Sequence, residues 1–126
     1  MMITAVHALL YADDPTAARD FFRDVLGWTH VDAGGGWLIF RSGPSELAIH
    51  PADAASGPHH EVSFMWDDLD ATVAELRSRG ADFEGDVGRQ PWGRTVRLVV
   101  PGAGSILMYE PTHPSAHSLP ERGSTT

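Results

Sequence analysis

Glu61-Val62-Ser63-Phe64-Met65-Trp66-Asp67-Asp68 lies over His7-Ala8-Leu9-Leu10-Tyr11-Ala12-Asp13-Asp14 at a constant separation (61 − 7 = 54 and 68 − 14 = 54). In each copy a short, largely apolar run ends in an Asp-Asp pair, which reads as a strand followed by a helix start. After the first pair, Asp14 suits the N-cap and Pro15 the first helical position. Ala18, Phe21, Phe22 and Val25 then recur at i, i+3, i+4 and i+7, giving one apolar stripe, while Arg19, Asp20, Arg23 and Asp24 take the other side. Gly27 ends that helix. The second helix is predicted over Leu69–Arg79, with Leu69, Val73 and Leu76 inward and Gly80 closing it.

Strands follow each helix. In the first half they are predicted at Trp28–Val31, Trp37–Arg41 and Glu46–His50, separated by the turn signals Gly34-Gly35-Gly36 and Gly43-Pro44. In the second half they fall at Asp82–Glu84, Arg94–Val100 and Ile106–Tyr109. The stretch from Ala52 to His59 is small, Pro/Gly/Ser-containing and without period, and reads as a linker. Each half is therefore β-α-β-β-β, with modules over about 1–52 and 60–111. Neither half is large enough to bury its sheet alone, so the two are expected to associate in one domain of α+β class over 1–111. The remainder, Thr112–Thr126, is rich in Pro, Ser and Thr and is expected to be a disordered tail.

The composition narrows function by exclusion. The chain has 126 residues, 42% of them hydrophobic, which fits one domain. Its formal net charge of −8 argues against nucleic acid as a partner. There is no Cys, which removes disulfides, thiolate nucleophiles and thiolate metal sites, and the sequence contains no Lys, which removes Schiff-base chemistry. No apolar run is long enough for a transmembrane span, and the N-terminus has neither a basic patch nor a small-residue cleavage site; no membrane association is expected, and a cytoplasmic location is.

Strand parity sorts the polar residues. Val6, Ala8, Leu10 and Ala12 form the apolar set of the opening strand, which turns His7, Leu9 and Tyr11 away from the helix. The same test on the matching strand sends Val62, Phe64 and Trp66 inward and leaves Glu61, Ser63 and Met65 opposite. Leu47 and Ile49 inward place Glu46, Ala48 and His50 on the face that His7 uses, and Arg41 and Arg97 share that parity. Trp66 is expected in the core. Trp28, Trp37 and Trp92 read as packing residues or as flat walls for a ligand. His59-His60 reads as a solvated loop, and the i, i+4 pair His113 and His117 sits in tail composition beside Pro114, so no role is assigned to it.

This pattern resembles the vicinal oxygen chelate superfamily, which contains glyoxalase I, extradiol dioxygenases, fosfomycin-modifying enzymes and bleomycin resistance proteins. The resemblance runs to about Pro111. It rests on His7 followed by Asp13-Asp14-Pro15, on Phe21-Phe22-Arg23-Asp24-Val25-Leu26-Gly27-Trp28, and on Gln90-Pro91-Trp92-Gly93-Arg94 before a strand. It implies two tandem βαβββ modules forming a curved mixed sheet around a cavity, and a homodimer. In metal-dependent members the first and last strands of each half supply the ligands. Those positions fall here on His7, on Glu61, and on Glu46 by parity or Leu47 by counting back from Pro51. Leu107 or Met108 occupies the fourth, where glyoxalase-like members carry Glu, and neither can bind a hard cation through oxygen.

His7, Glu46 and Glu61 would give one nitrogen and two oxygens with open positions, suited to one divalent metal such as Mn, Fe, Ni or Zn. Two functions follow from the resemblance. The favoured expectation is a metal-assisted lyase, isomerase or transferase-like enzyme acting on a small oxygenated molecule, with Glu46 or Glu61 moving a proton, but not an intact four-ligand glyoxalase I. The alternative is a metal-free protein that sequesters a small molecule, as bleomycin resistance proteins do.

Overall fold

The second half carries its expected order in full: β3 (Ser63–Met65), α2 (Leu69–Ser78), β4 (Phe83–Gln90), β5 (Gly93–Val99) and β6 (Ser105–Pro111), following α1 (Pro15–Asp20), β1 (His30–Asp32) and β2 (Leu38–Phe40) of the first half. The computed structural model describes residues 7–46, 48, 51–52 and 54–119. The second-half strands form an open mixed sheet in the order β3-β6-β5-β4. The chain leaves β3 through α2, passes through β4 and β5 and returns as β6, which pairs with β3 in parallel, Phe64 opposite Met108. That direction requires a long crossover, which the helix supplies. β4–β5 and β5–β6 are antiparallel.

The 54-residue repeat is visible in the helix starts. The Asp14 Oδ1 accepts the Ala17 N–H at 3.0 Å, and the Asp68 Oδ1 accepts the Ala71 N–H at 3.1 Å. Each side chain satisfies one of the amides that a helix start leaves without an internal carbonyl. α2 then buries Leu69, Val73 and Leu76 as its spacing predicts. α1 differs in its second half: it widens into a π-helical turn, Phe21–Val25, closed by Leu26 N–H to the Phe21 carbonyl at 3.1 Å. Phe21 and Phe22 are both buried there.

The first-half sheet is smaller than expected. β1 and β2 form a two-stranded antiparallel ribbon around the Gly34-Gly35-Gly36 turn, which the Asp32 carboxylate holds by accepting the Gly34 N–H at 2.7 Å. Residues 7–12 join no ladder, and neither do Glu46 and Ala48. Leu47, Ile49 and His50 of the predicted third strand lie outside the described residues, as does Val6. By analogy with β3 and β6, the opening strand needs the last strand of its own half as neighbour. β6 offers no alternative, because β3 and β5 already flank it. The side chains bear this out: Leu9 is 61% exposed and Tyr11 91%.

The halves nevertheless associate. Phe22 packs against Trp28 and Phe40 of its own half, with ring centroids 5.1 and 5.7 Å apart, and against Phe64 of the other at 6.2 Å. Asp14 N–H donates to the Gly102 carbonyl at 3.0 Å, and the Arg79 Nη1 donates to the Val25 carbonyl at 3.0 Å. Parity holds in the second-half sheet. Val96, Leu98, Ile106 and Met108 are buried toward the helices, and Phe64 and Trp66 pack on the same core. No helix among the described residues is long and apolar enough to cross a membrane.

Arg94, on the helix side of β5, forms a two-pronged pair with Asp70 of α2, Nη1 to Oδ2 at 2.7 Å and Nη2 to Oδ1 at 2.8 Å. Hydrogen bonding from the Arg94 guanidinium, reinforced by its charge, lowers the Asp70 pKa. A lowered folded-state value means that the stabilisation is present above the ordinary Asp value of about 3.9 and is lost as pH falls below it. Asp70→Asn should therefore lower the unfolding temperature at pH 7 and make little difference near pH 2; an unchanged gap between the two conditions would show that the pair contributes nothing.

Candidate small-molecule site

Side chains of odd number on β5 and β6 project to the face opposite the helices. The register lines up Ser63, Leu107, Arg97 and Glu84 across all four strands. Arg97 does not swing freely on that face. Its Nε donates to the Ser105 Oγ at 2.9 Å and its Nη2 to the Ser105 carbonyl at 3.1 Å, while the Ser105 Oγ donates to Glu84 Oε1 at 3.1 Å. A cavity of about 360 Å³ opens beside this row, bounded by Arg97, Ser105 and Leu107 from the sheet, by Leu9 and Tyr11 from the opening segment, and by Glu61. One cation, one carboxylate and several apolar walls thus converge on one hollow.

Each residue expected at the site can now be placed. Glu61 lines the hollow, with its Oε2 held at 2.8 Å by the His59 Nε2. The other His59 ring nitrogen lies 2.9 Å from the Gly57 carbonyl, and the two acceptors, the carbonyl first, raise the His59 pKa. Both contacts are satisfied together when the imidazolium donates from both nitrogens. His7 is exposed and is not among the residues that line the hollow. Glu46 faces elsewhere: its Oε2 accepts the backbone N–H groups of Ala116 and His117. Those amides, His117 first, hold its carboxyl below the usual range.

The fourth position resolves in favour of Leu107. Met108 is fully buried against the helices, whereas Leu107 stands on the open face. Glu110 has a structural task instead: its Oε1 accepts the Leu69 N–H at the start of α2 at 2.9 Å. Among the described residues no three His, Asp or Glu side chains come together as a metal site would need. His7, Glu46 and Glu61 are not gathered at one point in this arrangement: Glu61 lines the hollow, while Glu46 is engaged by Ala116 and His117.

Sequence parity had marked Arg97 and Glu61 but not Ser105 or Glu84. Ser105 sits two residues before Leu107, so parity alone places it on this face. Glu84 faces Arg97 through a register that crosses a β-bulge between Glu84 and Gly88, and no strand pattern announces that.

Comparison with known proteins gives the same fold. The family model described as Glyoxalase/Bleomycin resistance protein/Dioxygenase superfamily matches residues 4–116. A lactoylglutathione lyase from Agrobacterium tumefaciens is similar, at 27% identity over 86% of this chain and 95% of that one, with a TM-score of 0.60. TnmS3, an antibiotic binding protein from Streptomyces sp. CB03234, shares the fold at 23% identity, 88% of this chain and 100% of that one, with a TM-score of 0.58. A glyoxalase/bleomycin resistance protein/dioxygenase from Nocardioides shares it at 20% identity, 95% and 92% coverage and a TM-score of 0.61. No curated protein matches the chain. With the family model spanning both halves and the repeated helix starts in place, the chain belongs to the glyoxalase/bleomycin resistance protein/dioxygenase superfamily.

Proposed function

We propose that this protein binds a small molecule without a metal, in the hollow between Leu9, Glu61, Arg97 and Leu107. The observation that carries the reading is Leu107 on the open face of β6, an apolar wall where metal-using relatives are expected to present a carboxylate. The arginine is fixed by Ser105 and Glu84, so it meets an oxygen-rich or anionic group with little further ordering. Leu9 and Leu107 accept an apolar body. The ligand class is therefore a compact amphipathic molecule with an anionic or oxygen-bearing end.

A second reading retains a metal-assisted enzyme with His7, Glu46 and Glu61 as ligands and Glu46 or Glu61 as the proton carrier. Its support is the 27% identity to a lactoylglutathione lyase. A homodimer in the cytoplasm is part of either reading.

1-Anilinonaphthalene-8-sulfonate, an apolar anion, separates the two. Titrated into the protein, it should bind equally with and without EDTA, and Arg97→Ala should weaken it about tenfold, the loss of roughly one charge-assisted contact. Binding that requires added Mn, Fe(II), Ni or Zn, with a stoichiometric ion surviving dialysis in elemental analysis and lost in His7→Ala, would replace this reading with the second. Dye affinity indifferent to Arg97 would remove the hollow as the site.

A further inference from the structure

The residues from Thr112 to Leu119 run back over the end of the sheet and carry a set of contacts that a tail has no need of. Thr112 N–H donates to the Trp92 carbonyl at 3.0 Å, fixing the departure from β6. The His113 ring then lies 6.0 Å from the ring of Tyr109, which meets Trp92 edge-on at 5.2 Å. Three residues further, the consecutive N–H groups of Ala116 and His117 converge on one oxygen of Glu46. Leu119 N–H closes a turn onto the Ala116 carbonyl at 3.0 Å.

Considered from the side of the receptor, this is a binding site with an occupant. A carboxylate receives two adjacent N–H donors, and the Tyr109 ring, backed edge-on by Trp92, receives a flat nitrogen heterocycle. The donors come from seventy residues away in sequence, so nothing local compels them to meet Glu46. Carboxylates that accept backbone N–H groups make stronger hydrogen bonds than neutral acceptors do, but at an exposed position the net hold is modest. A small molecule with the same donors can compete.

We propose that Glu46 and the Trp92–Tyr109 corner form a site for a flat, cationic group bearing paired N–H donors, such as an amidine or guanidinium, and that the chain's own segment 112–119 occupies this site until such a ligand releases it. The site does not include Arg97, so it stands or falls without the metal-free reading given above.

The test follows the segment in the full chain by 15N relaxation, with 4-aminobenzamidine as the probe. In the wild-type protein, residues 113–119 should show order parameters near the rigid-backbone value of about 0.85. Glu46→Ala should drop them below about 0.6, the flexible range, while α2 stays unchanged as a control for folding. Glu46→Gln, which keeps the size and removes the charge, should fall between. Saturating 4-aminobenzamidine should mobilise the wild-type segment as Glu46→Ala does, and its affinity should fall at least tenfold in Glu46→Gln. A segment that is mobile in the wild type, or one that stays ordered in Glu46→Ala, overturns the self-occupied site. Order that persists in the presence of millimolar probe overturns the ligand class. Arg97→Ala should alter none of these readouts.

Discussion

Replacing Phe22 by Ala is expected to destabilise the fold by about 3–5 kcal/mol, a large part of the roughly 5–15 kcal/mol that a domain of this size has in total. Phe22 is 7% exposed and touches rings on three sides: Phe21 edge-on at 5.9 Å, Trp28 and Phe40 tilted at 5.1 and 5.7 Å, and Phe64 edge-on at 6.2 Å. Truncation loses the transfer energy of the ring and leaves a void that four rigid aromatic neighbours fill poorly. Because Phe64 belongs to the second half, the loss falls on the contact between halves as well as on the first helix. Thermal unfolding should shift down by roughly 10–20 °C. Tyr11→Ala, at a residue 91% exposed, is the matched control and should stay within about 0.5 kcal/mol. A Phe22→Ala cost below about 1 kcal/mol would mean that the aromatic cluster does not join the two halves.

The sequence carried the second half of this fold better than the first, and the reason lies in which residues have their neighbours within reach. Leu69, Val73 and Leu76 meet the sheet that follows them directly, so helical spacing alone places them correctly. Val96, Leu98, Ile106 and Met108 alternate with Arg97 and Leu107, and period two suffices. In the first half, alternation in residues 7–12 is equally clear, yet those residues join no ladder, because a strand also needs an edge to pair with and alternation says nothing of where that edge is. The π-helical turn at Phe21–Val25 was invisible for a similar reason: adjacent phenylalanines fit an ordinary helix as readily as a widened one.

At the candidate site the same division appears. Parity brought Glu61 and Arg97 to one face, and both line the hollow. It could not say that Glu61 is held by His59 or that Glu46 is engaged by Ala116 and His117, since those partners sit in a loop and in a segment without periodicity. The choice between Leu107 and Met108 needed only the burial of Met108, which a strand flanked by Ile106 and Glu110 leaves ambiguous until the helix side is known.

Gly102→Ala should cost about 2–5 kcal/mol, and Gly104→Ala, two residues along the same turn, only about 1–2 kcal/mol. Both glycines have a left-handed backbone, with φ of +75° and +73°, so both substitutions incur the strain of placing a Cβ there. They differ in what the new methyl meets. At Gly104 nothing lies within 4 Å, whereas at Gly102 the added Cβ would lie 2.6 Å from the Asp14 Cβ and 2.6 Å from the Asp14 carbonyl oxygen. Backbone cannot rotate away as a side chain can, so the turn and the start of α1 must separate, stretching the 3.0 Å bond from Asp14 N–H to the Gly102 carbonyl. Asp14 also caps the helix through Ala17, and that helix carries Phe22 into the cluster with Phe64. The excess at Gly102 should therefore shrink in a Phe22→Ala background, where the joint between halves is already weakened, while the Gly104 cost adds independently. Chemical denaturation of the wild type, the three single variants and the two double mutants gives both differences directly. Equal costs at Gly102 and Gly104 would place Asp14 away from the turn and leave the two halves without this second point of attachment.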